Sequence, residues 1–364
     1  MEHFGFPIET IVILFTVVFV SVSMDLFSHR NKEEVTFKDA AGWSIFWIAL
    51  AIAFYYYLKV RFNPEYASLF MAGYALEKAL SIDNMMVFVA IFSSFGIKGI
   101  AQHRILYYGI AGALIFRAIF VAAGTTLFGI ASWVELLFAL IVAWSGWALW
   151  HGSGDDDDID DYSQHWSVNL TKKYMPVLPR LVGKAFFVRR EQVEQMKRED
   201  PSLTFSDTAR HGAWFATPMF LCLICIEVSD IVFSFDSVPA IIAVTREPLL
   251  VYAAVIFAIL GLRNLYFLLA VAAKYLCHLE RAVAFVLVFI AIKLGASAVE
   301  KTFGIETFHI PHDVSLYVVL GLILAGVIAS ILFPVAESGS SDIKEQPASA
   351  QARADDEPPP SSSS

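Results

Sequence analysis

Two eight-residue stretches carry side chains able to do chemistry together: EKALSIDN, beginning at Glu77, and DIVFSFDS, beginning at Asp230. Both read acid, three residues, Ser, one residue, Asp, then an amide or hydroxyl. Each sits in strongly apolar sequence, where a carboxylate is expensive unless it serves a function. Together with Glu227, the acids and their polar neighbours offer oxygen donors at Glu77, Asp83, Asn84, Glu227, Asp230, Asp236 and Ser237. Such a set suits a hard divalent cation of the Mg, Ca or Mn kind, and no intramembrane His pair speaks for a zinc-like site. The competing reading is structural: these acids would pair with Lys78, Arg117, Arg263 and Lys293, the four bases inside apolar sequence, and hold helices together. That reading fits Glu77 or Glu227 with an Arg better than it fits an Asp repeated beside an amide or hydroxyl. With the four bases as charge balance, ion arrival can displace protons from the acids.

The elements that must position these groups are membrane spans. The chain is 57% hydrophobic and 17% charged. Its apolar residues fall into nine blocks, roughly 7–27, 40–58, 67–95, 103–128, 130–150, 212–244, 249–273, 281–299 and 313–333. Blocks of this length cross a bilayer as helices, so an all-α polytopic protein of about nine transmembrane helices is expected. The first block is flanked by Glu2 and Glu9 and lacks a small-residue cleavage site, so it reads as a retained helix. Lys and Arg gather in 28–39, 96–102, 151–211 and the flanks of 274–281, whereas the opposite side holds only Lys59, Arg61, Arg246 and Lys301. The positive-inside rule then puts the N-terminus outside and the C-terminus in the cytoplasm.

The repeat extends beyond the motifs. RAIF at Arg117 corresponds to RNLYF at Arg263, and AWSGWAL to FIAIKLG, so three helices match three helices. Helix 3 enters from outside and helix 6 from inside, which gives the triplets opposite topology, the inverted-repeat plan of many secondary transporters. The chain accordingly divides into two N-terminal helices (1–66), a first repeat (67–150), a cytoplasmic loop (151–211), a second repeat (212–299), a last helix (300–336) and a tail (337–364). Glu77 and Asp83 are six residues apart, about 120° around a regular helix, as are Asp230 and Asp236. Convergence on one ion therefore calls for interruptions in helices 3 and 6, near Asn84 and Pro239, with Asp83 and Asp236 facing each other at the midplane.

Other candidates carry less. Cys222 and Cys225 have a CxxC spacing, but among Leu and Ile they read as packing residues, and Cys277 has no partner in sequence. Asp25 with His29, at the inner end of helix 1, has the composition of a gate or relay or of a solvated helix end. Asp155 to Asp158, Asp160 and Asp161 read as a solvated acidic linker; the later part of that loop, with Phe186, Phe187, Arg189 and Arg190, is expected to pack at the inner membrane surface. The tail is rich in Ser, Pro and acids and reads as disordered.

The EKALSIDN and DIVFSFDSVPAI segments, with ILGLRNLYFLLA at Ile259, WSIFWIALA at Trp43 and FFVRR at Phe186, resemble the TerC family, and closely its Alx-type manganese exporters. The resemblance covers most of residues 10–333. It implies a bacterial inner-membrane protein of the LysE-like transporter superfamily, linked to manganese efflux and, by family name, to tellurium resistance. By motif position it puts metal-site roles on Glu77, Asp83, Asn84, Asp230, Asp236 and Ser237, with Glu227 and Asp25 as possible additions. Two departures stand out: Ala148 occupies a position where similar sequences often place a Lys matching Lys293, and the interval between Asp25 and His29 is one residue short. Divalent-cation export, of Mn2+ or alternatively Ca2+, is thus the leading expectation, with the metal ion and the lipid bilayer as partners, no tightly bound cofactor, no enzymatic activity and no nucleic acid. A membrane redox or stress-response protein without transport is the alternative. An intramembrane hydrolase finds no nucleophile–base pair, and a carboxylate-lined pocket repels a tellurite oxyanion.

Overall fold

Helix occupies every one of the nine apolar blocks in the computed structural model, which describes residues 2–3, 6–28, 37–130, 132–152, 162–200, 214–272, 278–305, 307 and 310–333. A two-residue ribbon, β1 (Glu2–His3) with β2 (Phe6–Pro7), precedes α1 (Ile8–Ser28). Then come α2 (Phe37–Arg61), α3 (Pro64–Ser94), α4 (Ile100–Ile130) and α5 (Ser132–Gly152). The long loop contains α6 (Trp166–Tyr174), β3 (Phe187–Arg189), α7 (Arg190–Glu199) and β4 (Trp214–Ala216). It leads into α8 (Pro218–Thr245), the pair α9 (Pro248–Ile259) and α10 (Leu262–Ala272), α11 (Leu279–Phe303) and α12 (His312–Leu332). The Asp155–Asp161 cluster, His29, Cys277 and the tail lie outside the described residues.

Among the described residues six of these helices are long and apolar enough to cross a membrane, and α9 and α10, bent by 47°, are so when taken together as one span. The 31-residue α3 is about 46 Å long, ample for a ~30 Å hydrocarbon core. Glu77, Lys78 and Asp83 interrupt its apolar run. The feature that lowers its hydropathy is the one that gives it chemistry. Its start is set locally: Pro64 takes the first helical position, and the Asn63 side chain accepts the Tyr66 N–H at 2.8 Å. Pro218 and Pro248 likewise take the first helical positions of α8 and α9, without a side-chain cap.

Neither α3 nor α8 is interrupted. α3 runs unbroken past Glu77, Asp83 and Asn84, and α8 past Asp230, Asp236 and Pro239. Pro239 donates no hydrogen bond to Phe235, yet residues 237–245 are all buried, and packing on every side keeps the helix regular. The break in the second triplet falls instead between α9 and α10, at Leu260 and Gly261. Gly261 has φ +81°, and a Cβ there would run into the Trp47 indole of α2, so both conformation and space demand glycine.

Packing follows a pattern that survives exchange of α3, α4 and α5 for α8, α9–α10 and α11. α4 lies along α8 about as extensively as α3 lies along α9, and α5 with α11 forms the most extensive pair of all. Gly146 of α5 permits that last approach: a Cβ on it would meet Leu287 Cβ at 3.1 Å and the Ala284 carbonyl at 3.3 Å. α3 and α8 run antiparallel. Thr245 near the end of α8 donates to the Leu69 carbonyl near the start of α3 at 3.5 Å, Gly73 lies against Ile241 and Thr245, and Glu77 shares a partner with Asp230.

Candidate functional site

At the centre of the α3–α8 pair lies a single guanidinium between two carboxylates. Arg117 projects from α4, is 1% exposed, and grips Asp230 with both Nη2 to Oδ1 at 2.8 Å and Nε to Oδ2 at 3.3 Å. Its Nη1 is paired with Glu77 Oε1. Glu77 is fully buried and Asp230 nearly so. With both acids ionised the triad carries two negative charges against one positive, so Arg117 satisfies the geometry but not the full charge. Asp230 also lines a mostly apolar pocket between α3, α4, α8 and α10, which includes Gly109, Ala113, Ile226 and Arg263.

Helical spacing turns each motif into a row. Residues at i, i+3, i+7 and i+10 stay within about 80° of one another around a helix. On α3 these are Tyr74, Glu77, Ser81 and Asn84, all buried; on α8 they are Glu227, Asp230, Ser234 and Ser237. The rows are the same positions of the two motifs, one turn extended. Among the described residues, Tyr74 Oη, Ser81 Oγ, Ser237 Oγ and Glu227 Oε2 are buried without a hydrogen-bond partner, and buried polar atoms of that kind ordinarily belong to a water or ligand. Ser234 donates to the Asp230 carbonyl at 2.8 Å. The Glu227 carboxylate lies against Gly112 of α4, where any Cβ would overlap it, so the glycine makes the room that the acid occupies.

Asp83 and Asp236 stand on other faces and at other depths. Each is six residues, about 9 Å, beyond its central acid, and because α3 and α8 are antiparallel the two displacements have opposite sense. Leu69 against Thr245 and Gly73 against Ile241 set the register of the pair, and by it Asp83 and Asp236 are offset by about five residues, ~7 Å, along the helices rather than level with each other. A two-fold relation brings equivalent residues level only near its axis, which by this register passes close to Ser81 and Ser234; Glu77 and Asp230 lie to either side of it and are bridged by Arg117. Asp236 accepts a hydrogen bond from Ser145 Oγ of α5 at 2.7 Å. Asp83, half-buried, is within electrostatic range of Glu280 at the start of α11. Among the described residues no three His, Cys, Asp or Glu side chains are grouped as a preformed metal cage.

The sequence profile described as "Integral membrane protein TerC family" matches residues 62–340. The chain belongs to the TerC family. It is 47% identical to a protein named "Tellurium resistance protein TerC" of Serratia marcescens over 334 residues, covering 91% of this chain and 96% of that one. It is 33% identical to the "Putative membrane-bound redox modulator Alx" of Escherichia coli K12 over 319 residues, 85% of this chain and 89% of the other. No solved structure matches.

Of the four bases expected to balance charge in this TerC chain, Arg117 takes the central place and Arg263 shares the pocket with Asp230. Lys78 has a different task. It donates to the Ala258 carbonyl at 3.1 Å, in the last turn of α9, where the break leaves carbonyls without helical donors and the helix dipole is negative. Lys293 donates to Ser315 Oγ of α12 at 2.7 Å. Neither contact reaches the two acidic rows. Asp25 lies in α1, but its side chain is outside the described residues, as is all of His29. Toward the opposite end of the bundle, Glu135 of α5 is 3% exposed and pairs with Lys301 of α11, with Arg246 at the end of α8 at 4.0 Å. Sequence reasoning overlooked Tyr74, Ser81, Ser234 and Gly112. The two serines were legible as the repeated Ser one turn after each acid; Gly112 was not, because nothing local announces which side chain will press on it.

Proposed function

We propose that this protein moves divalent metal cations, with manganese efflux across the bacterial inner membrane as its task, the N-terminus outside and the C-terminus in the cytoplasm. What supports this reading above all is the Glu77–Arg117–Asp230 triad at the crossing of the two polar rows. Two buried carboxylates match a dication in charge, whereas one guanidinium leaves a negative charge uncompensated in a poorly solvating interior. Arg117 thus holds the acids apart from each other while the cargo is absent and yields to it when it arrives. Tyr74, Ser81, Asn84, Ser234 and Ser237 supply neutral oxygens that replace lost water along the way, and Glu227, Asp83 and Asp236 extend the acidic steps to either side of the centre. Oxygen donors of this mixture suit Mn2+ or Ca2+ and give no foothold to an oxyanion. Protons taken up by the acids as the ion leaves provide a route to proton coupling. No bond is made or broken, so the protein is a transporter rather than an enzyme.

The test is the manganese content of cells grown in excess manganese, with and without the protein. Lower content with the wild-type chain and no lowering with Asp230→Asn, at equal membrane abundance, is the expected result; equal lowering by both would overturn the proposal. The printed name of the Escherichia coli relative favours a second reading, membrane redox modulation. Cys222 and Cys225 are its only thiols in the described residues; both are buried, and Cys225 Sγ sits 3.4 Å from Ser167 Oγ. Loss of manganese tolerance in the double Ser variant, with the wild-type lowering of metal content retained, would select that reading.

A further inference from the structure

Helix α6 presents an apolar stripe that no other described residue covers. Its nine residues divide by angle into three faces. Ser167 and Val168 are buried, and Ser167 Oγ meets Cys225 Sγ of α8 at 3.4 Å. Beside that buried face, Trp166, Leu170 and Tyr174 follow one another at four-residue spacing, 60%, 47% and 76% exposed. Lys172, Lys173 and Asn169 make up the third face and are all exposed. A stripe of two aromatics and a leucine between a packed face and a cationic one is the composition of a helix lying in a membrane interface.

The position of α6 fits that composition. Cys225 is seven residues into α8, about 10 Å from its start. α8 has 28 residues, about 42 Å of helix, so roughly 6 Å overhangs each side of a ~30 Å hydrocarbon core. The Ser167 contact therefore falls near the boundary between headgroups and acyl chains. Just before α6, the Tyr162 N–H donates to Ser94 Oγ at 3.3 Å, at the very end of α3. The helix thus sits at the membrane face where α3 ends and α8 begins.

We infer that α6 is an interfacial anchor: Trp166, Leu170 and Tyr174 insert among the lipids of that leaflet, while Lys172 and Lys173 bind the phosphates of anionic phospholipids. The occupant is the surrounding bilayer itself, since the Ser167–Cys225 contact sets α6 at the level of the membrane boundary and the lysines complement anionic headgroups. This inference concerns a surface separate from the acidic rows and stands or falls independently of metal transport.

The experiment uses the full chain in vesicles of phosphatidylcholine or of phosphatidylglycerol. The emission of Trp166 is obtained as the difference between the wild-type chain and Trp166→Phe, a change that keeps an aromatic at the position. Lipids brominated on the acyl chain should quench that component, aqueous iodide should leave it largely unaffected, and Lys172→Gln with Lys173→Gln should weaken the bromolipid quenching in phosphatidylglycerol but not in phosphatidylcholine. Quenching by iodide and not by bromolipid would overturn the anchor. Protection from both quenchers would mean that protein covers the face, and would equally overturn it. Quenching indifferent to the lysines would overturn the anionic-lipid assignment. A second readout needs no tryptophan difference: a spin label at Leu170→Cys should collide with oxygen more than with an aqueous nickel chelate, and a label at Asn169→Cys should show the reverse.

Discussion

Replacing Arg117 by Met keeps most of the side-chain volume and removes the one positive charge between Glu77 and Asp230. The structure gives Arg117 a two-pronged grip on Asp230 and an ion pair with Glu77, all at 5% exposure or less. Removing one partner of a buried ion pair strands the other, at a cost of about 3–5 kcal/mol. For a chain of this size about 2 °C accompanies each kcal/mol, so the thermal midpoint in detergent should fall by roughly 6–10 °C. If the two acids form a cation site, the loss is repairable. Mn2+ at about 100 times its dissociation constant adds ~2.7 kcal/mol, which returns roughly 5 °C. The wild-type chain should respond less, because there the metal must first displace the guanidinium. The assay is thermal unfolding of the purified chain with and without Mn2+, with a monovalent salt at matched ionic strength as control. A variant destabilised as predicted but indifferent to Mn2+ would refute the reasoning and leave the triad as a helix clamp; an undestabilised variant would refute the triad.

Gly112→Ala should destabilise by about 1–3 kcal/mol, since its methyl group collides with the Glu227 carboxylate, and most of that loss should vanish in combination with Glu227→Ala, a coupling read by a double-mutant cycle in the same unfolding assay. Lys78→Met should cost about 1.5–3 kcal/mol by uncapping the Ala258 carbonyl, and the distance between spin labels placed on α9 and α10 should broaden, whereas an unchanged distribution would show that the bend does not depend on the lysine. Replacing both Cys222 and Cys225 by Ser should leave manganese tolerance intact, because hard cations take oxygen ligands and these thiols are buried in packing; tolerance lost in a folded double variant would revive the redox reading.

The nine helical blocks, the repeated motif and the burial of its acids were legible because each rests on local pattern: long apolar runs, and carboxylates placed where lipid would reject them. What the sequence misplaced are features decided by how the helices meet. A break was expected beside Asp83 and Asp236 from their angle to Glu77 and Asp230, but the acids of each pair need not converge, and two regular helices carry them to separate depths. The real break is at Gly261, whose lack of a Cβ is required by the Trp47 indole, a neighbour more than two hundred residues away in sequence. Arg117 could be recognised as a counter-charge but not as one shared by both repeats, since that depends on α4 reaching the crossing of α3 and α8. The i, i+7 relation linking Glu77 to Asn84 and Asp230 to Ser237 was present in the motif throughout, and it becomes informative once the helices are known to be unbroken.

The central claim is that the buried acid pair passes a divalent cation, and Mn2+ flux into proteoliposomes loaded with a metal-sensitive dye tests it most directly. The wild-type chain should carry Mn2+ down its gradient, while Glu77→Gln and Asp230→Asn, each removing one of the two charges that match the ion, should abolish the flux although both proteins reconstitute equally. Wild-type flux through either variant, or no Mn2+ flux through the wild-type chain in either direction of the gradient, would contradict it.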